Sequence, residues 1–187
     1  MILSSFPGGA EALLAVRAGE SAALEADPFA AAVVEHLDDP VSAILMLGFG
    51  ECLRFTPNPL RAFIAAAPKE QAIAELRAMM EDRELLVPYR ALGVGYREED
   101  DRPIGTIVFE YDAPELAESD LPARCTLAEN AVSEHYDAPI SESYFTVLRC
   151  TTQDSAILLK VAPVDGQPNR LFRMVFYLDA PFAGCSN

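Results

Sequence analysis

Residues 86–111 read LVPYRALGVGYREEDDRPIGTIVFEY, and their alternation decides the fold class. From Leu86 to Tyr96, and again from Pro103 to Tyr111, apolar or small residues recur at every second position, the period of a pleated strand. Between them Arg97-Glu98-Glu99-Asp100-Asp101-Arg102 has no apolar side chain and predicts a hairpin tip. Gly93-Val94-Gly95 is a bare G-x-G, but a strand follows it. A dinucleotide fingerprint needs a helix there, opening on the pyrophosphate. The two glycines instead predict a bulge or a close approach by another part of the chain.

Downstream, Asp112 is read as a helix cap, with Pro114 in the first turn and Glu115 at an approximate capping-box spacing. Ser119-Asp120 before Pro122 predicts a kink or restart. Leu121, Cys125, Ala128 and Val132 then share one face, which turns Cys125 inward. Residues 135–142 are irregular. Residues 144–152 and 156–162 form a second hairpin around Gln153-Asp154-Ser155, 163–169 a loop, and 171–178 a further strand.

Upstream, residues 2–6 read as a strand. A helix carrying Ala12, Leu13 and Val16 follows and ends at Gly19. Asp27-Pro28 is a strong helix start, Asp27 capping and Pro28 at the first position. Phe29, Val33, Val34 and Leu37 form that helix's apolar stripe, and Asp38-Asp39-Pro40 stops it. Residues 41–49 predict a buried strand and 51–59 a turn-rich stretch. Residues 60–66 and 69–83 predict helices, the second with Ile73, Leu76, Met79 and Met80 as core filler.

Such an order lacks the regular βαβ alternation of a doubly wound sheet. It predicts α+β: an antiparallel or mixed sheet with helices packed mainly on one face, two ferredoxin-like halves being one arrangement of it. With 187 residues the chain is expected to form one compact domain, 1–84 and 85–187 being its potential sub-halves.

Hydrophobic residues make up 51% of the chain, enough for a core despite a net charge of −15. That charge repels phosphate backbones and anionic headgroups, and no run of Lys and Arg offsets it locally, so nucleic-acid binding is disfavoured. Only Lys69 and Lys160 are lysines. Arginine otherwise, with abundant Ala and Pro, fits a GC-rich bacterial genome. No apolar run approaches the roughly 20 residues that span a bilayer. The opening residues lack a signal peptide, which fits either an exported chain whose signal has been removed or a cytoplasmic one.

Chemistry-bearing residues are few. Cys52, Cys125, Cys150 and Cys185 are widely spaced, without C-x-x-C or a Cys–His cluster, which argues against structural zinc and thioredoxin-type chemistry. Their even number permits disulfides in an exported protein, and four buried thiols in a cytosolic one. The two histidines are His36 and His135. His36 is read as a half-exposed residue at a helix C-terminus. His135, in Ser133-Glu134-His135-Tyr136-Asp137, is the better ligand-binding candidate. A nucleophilic Cys125–His135 pair is conceivable, but an inward-facing thiol disfavours its thiolate. Three near-adjacent groups, Glu134, His135 and Asp137, make a poor metal site, and the acidic run at 98–101 does not match a calcium loop. No metal, cofactor or catalytic residue is assigned. A ligand pocket between sheet and helices would use Tyr96, Phe109 and Tyr144 beside His135.

Leu3-Ser4-Ser5, Ala12-Leu13-Leu14-Ala15, Gly19 and the run Ser21 to Phe29 ending in Asp27-Pro28-Phe29 together resemble a recurring segment of exported bacterial proteins of unknown function. The resemblance covers residues 1–45. It implies an envelope or secreted location and supplies no catalytic residues. Three functions follow in order: a non-catalytic module of the bacterial cell envelope that binds a protein or small ligand, a cytoplasmic small-molecule-binding protein, and an enzyme using His135 with Cys125 or a nearby carboxylate.

Overall fold

The computed structural model describes residues 27–47, 86–133, 135–177 and 179–184. The expected strand at 2–6, the first helix, the two helical segments at 60–66 and 69–83, and Cys52 and Cys185 lie outside these residues. Within them a five-stranded antiparallel sheet has the order β1-β2-β3-β7-β6. Its strands are β1 (Ser42–Leu47), β2 (Ala91–Glu99), β3 (Arg102–Glu110), β6 (Phe145–Gln153) and β7 (Ala156–Pro163). The two-residue strands β4 (Val132–Ser133) and β5 (Ala138–Pro139) form a separate small ladder. Helices α1 (Pro28–Leu37), α2 (Pro114–Asn130), α3 (Ile140–Ser143) and α4 (Asn169–Phe176) complete the α+β architecture.

Strand alternation assigns the two faces. Leu92, Val94, Ile107, Phe109, Ile157, Leu159 and Val161 form the larger core with residues of α2, α3 and α4. Ala91, Val108 and Ala156 point the other way, under Val33 and Leu37 of α1. Helices therefore lie mainly on one face, with α1 alone on the other among the described residues. Gly93 is required by α1: a Cβ there would collide with Val33, and one at Gly95 would come within 3.2 Å of both Leu37 and Pro40. The register of β2 against β3 is uninterrupted, so these glycines serve close approach and mark no bulge.

Helix α1 starts as expected. The Asp27 carboxylate accepts from the backbone N–H groups of Phe29 (2.9 Å) and Ala30 (3.0 Å), pairing two donors that would otherwise be orphaned. Its buried stripe is Ala30, Val33 and Leu37, whereas Val34 sits at the rim and is 56% exposed. Strand β1 is an edge strand of the described sheet, not a buried one, and Val41 before it is 64% exposed.

Both hairpins turn on aspartate. Asp100 and Asp101 (φ 51° and 60°) form a two-residue connection, and positive φ at both positions suits the twist of the flanking strands. The ladder thus reaches further than expected and includes Arg97, Glu98, Glu99 and Arg102. Asp154, at φ 51°, begins the second turn. All seven non-glycine residues with positive φ among those described are aspartates: Asp38, Asp39, Asp100, Asp101, Asp137, Asp154 and Asp165.

Four expectations are corrected. Asp112 does not cap α2; Ala113 occupies the cap position and Asp112 pairs with Arg90 at 2.7 Å. Helix α2 passes through Pro122 without a restart, and its buried residues are Ala117, Asp120, Arg124 and Ala128. Val132 has left the helix for β4. Residues 171–178 contain no described strand. Leu171, Met174 and Val175 recur at helical spacing and bury one side of α4, with Leu171 seated over Gly105.

Candidate functional site

His135 lies in the loop between β4 and β5, and that loop is anchored from below by a carboxylate. The chain leaves α4 and returns inward, the Asp179 N–H donating to the Met174 carbonyl at 3.0 Å. Buried Asp179 presents Oδ2 to three donors: the hydroxyls of Ser133 and Tyr144, each at 2.5 Å, and the His135 backbone N–H at 3.4 Å. Ser133 Oγ in turn accepts from the Tyr136 N–H at 3.0 Å. Burial, and then the hydrogen bond to Asp179, push the Tyr144 phenol well above its ordinary value, so it remains a donor at physiological pH. The loop is fixed by these bonds to a fully buried tyrosine and a buried acid.

Above this anchor sits an exposed aromatic ledge. The His135 ring stacks on Tyr177 with centroids 4.2 Å apart and planes at 29°. Tyr136 meets His135 edge-on at 4.7 Å and leans against Tyr144 at 5.4 Å. Tyr177 is 48% exposed, and Phe176 beside it in the chain is 75% exposed. Asp137 and Arg173 are also exposed, on the loop and on α4.

The other residues expected around a pocket are placed differently. Phe109 and Tyr144 are wholly buried core side chains. Phe109 stands edge-on to Tyr89 at 5.2 Å and Phe182 at 6.3 Å. Tyr96 is partly exposed and rests against Phe172 at 6.1 Å. Of the four, Tyr144 and His135 share a site, through Asp179. Cys125 is joined to Cys150, with Cα atoms 6.1 Å apart, and this fastens α2 to β6. Its sulfur is unavailable as a nucleophile while that bond is intact. His36 is not half in solvent: its side chain is 8% exposed and faces Glu110.

A second buried cluster has no counterpart in the sequence reading. Arg124, wholly buried in α2, donates from Nε to Asp120 at 2.5 Å. Its remaining nitrogens reach the carbonyls of Phe182 (2.5 Å), Gly184 (3.2 Å) and Val87 (3.0 Å), and its guanidinium lies 4.5 Å from the centre of the Phe109 ring. Asp120 also accepts from the Val87 N–H at 2.8 Å and the Tyr111 hydroxyl at 2.5 Å. Burial raises both Tyr111 and Tyr89 far above the ordinary phenol value, so neither ionises. Nε is engaged by Asp120 and the two terminal nitrogens by backbone carbonyls, which makes the cluster a fastening between α2, the segment before β2 and residues 182–184. The signal for it was an Asp–Arg pair at i, i+4 flanked by Ala117 and Ala128 on one helical face.

Among the described residues, no group of three or more His, Cys, Asp or Glu side chains is arranged to hold a metal ion, and no helix is long and apolar enough to cross a membrane. Glu99, in the acidic run, is engaged by Arg97 at 2.5 Å and Lys160 at 3.3 Å; these hydrogen bonds hold its carboxyl below the usual range. Comparison of the chain with protein-family models, with curated proteins and with solved structures gives no match.

Proposed function

We propose that the protein is a non-catalytic binding module of the bacterial cell envelope, which engages a protein partner through the ledge of Tyr136, His135 and Tyr177. The observation that carries this reading is the exposed His135–Tyr177 stack, held from beneath by the Asp179 hydrogen bonds. Aromatic side chains already fixed before binding lose little conformational entropy on association, and such anchors dominate interface energetics. The Cys125–Cys150 crosslink supports an oxidising compartment, and the net charge of −15 disfavours nucleic acid and anionic lipid as partners.

The test is site-directed photocrosslinking in intact cells, with a photoreactive amino acid at position 136 or 177 and, as control, at exposed position 34 on α1. A discrete crosslinked species from 136 and 177, lost on His135→Ala and absent from 34, is the expected result. Equal crosslinking from all three positions, or none from the ledge, would overturn the reading.

A further inference from the structure

Across the sheet from the ledge, one buried carboxylate is incompletely partnered. Glu110 closes β3 and is 2% exposed. Its Oε1 accepts from the Ser155 hydroxyl at 2.5 Å, while Oε2 is buried and has no hydrogen-bond partner among the described residues. Among the described residues, the basic group facing it is His36 Nε2, in the last turn of α1, at 3.8 Å. That is too long for a hydrogen bond, yet close enough for strong attraction once the imidazole is charged. Both side chains are more than nine-tenths buried, so water does not mediate freely between them.

The described residues around the pair supply no substitute cation. Asp154, in the turn beside Ser155, adds negative charge. The Arg90 guanidinium is bound to Asp112, and only its backbone N–H meets Glu110, at the carbonyl. Arg97 is bound to Asp38 and Glu99. Glu35 and Asp39 on either side of His36 are exposed acids. Among the described residues, His36 is therefore the one group able to answer the lone oxygen.

We propose that Glu110 and His36 form a proton-operated latch, in which one proton held by the pair draws the last turn of α1 onto β3, and its loss loosens that turn. Burial raises the Glu110 carboxyl above its ordinary value, an effect opposed by the Ser155 hydrogen bond and then by His36, and reinforced by Asp154. The sign follows. A carboxyl whose folded value is raised stabilises the docked state most when protonated, and that stabilisation is lost as pH rises through the folded value. His36 Nε2 faces the same oxygen, so the proton is held where the two side chains meet, and its loss as pH rises leaves a buried negative charge at the end of β3 without a hydrogen-bonded partner among the described residues. Val33 over Gly93 and the Val41 N–H bond to the Tyr96 carbonyl (2.9 Å) hold the rest of the segment, which confines the response to the helix end.

Amide hydrogen exchange on the full chain tests the latch. Protection of residues 34–38 is measured between about pH 5.5 and 8.5, corrected for intrinsic exchange and normalised to β7. The expected result is a fall of about tenfold towards alkaline pH, the effect of losing one attraction between partly desolvated groups, and a flat profile in both Glu110→Gln and His36→Gln. A flat wild-type profile, or a slope surviving in either variant, overturns the proposal. Glu110→Gln keeps an acceptor for Ser155, and His36→Gln provides an independent arm should that variant fold poorly.

Discussion

Replacing Arg124 by methionine tests whether the buried Asp120–Arg124 pair fastens this fold. The substitution preserves much of the side-chain length but removes the only cation facing Asp120 within the described core. Asp120 would keep the Val87 N–H and the Tyr111 hydroxyl, while the carbonyls of Phe182, Gly184 and Val87 would each lose a donor. Breaking a buried pair from one side costs about 3–5 kcal/mol, because the surviving charge stays buried. Orphaned carbonyls add roughly 1 kcal/mol where the chain cannot relax. A loss of about 4–6 kcal/mol is a large part of the 5–15 kcal/mol typical of a domain. For a chain of this size it corresponds to a Tm lower by about 10–20 °C. Urea unfolding at neutral pH, with Cm and m fitted separately, gives the value for Arg124→Met, Asp120→Asn and the double variant. The double variant is expected to cost less than the sum of the singles by about 2 kcal/mol, since each single leaves the other group unpaired. A loss under about 1 kcal/mol for Arg124→Met, or strict additivity, would refute the assignment.

Further outcomes follow from other parts of the fold. Reducing Cys125–Cys150, or replacing both by alanine, releases a loop with a sequence separation of 25 and is expected to cost about 3–4 kcal/mol in chemical denaturation; unchanged stability would mean that the crosslink does not form in the folded protein. Gly93→Ala places a methyl group against Val33 and is expected to destabilise by about 1–3 kcal/mol, whereas a neutral or stabilising effect in thermal melts would contradict the packing of α1. His135→Ala is expected to cost less than about 1 kcal/mol, because the Asp179 contact to this residue is through its backbone; a large drop in Tm would make the imidazole structural instead of an element of recognition.

The sheet was legible because β3 and β7 alternate at a period of two and β2 alternates small with larger residues, although β6 breaks its register between Val147 and Arg149. Asp27-Pro28 was legible as a helix start because capping is local chemistry. What escaped was set by partners distant in sequence. The inward face of α2 includes Asp120 and Arg124, and a search for apolar periodicity passes over both and selects Leu121 and Cys125 instead. Helix α4 was misread because an eight-residue apolar segment broken by arginine satisfies strand and helix templates alike until Leu171 is seen against Gly105. At the ledge, His135 was identifiable as an exposed polar-loop residue. Its stacking on Tyr177 depends on Asp179 returning beneath the loop, a closure between residues 44 apart that no local pattern announces.

The left-handed aspartates tie the protein's acidity to its backbone. L-residues other than Asn and Asp rarely enter this region, because the Cβ atom crowds the following carbonyl. At seven corners the residue that supplies negative charge is also the residue that permits the turn. Charge and shape are thus encoded in the same positions, and they differ in what may replace them. Changing those aspartates to asparagine would remove seven of the net fifteen negative charges and leave the turns permissible, while alanine at the same corners would remove the same charge and strain the chain. A neutralised form of this fold is therefore accessible through amides or glycine, and the natural choice of the acid at every such corner keeps a repulsive field at the loop tips, where neighbouring molecules would first meet.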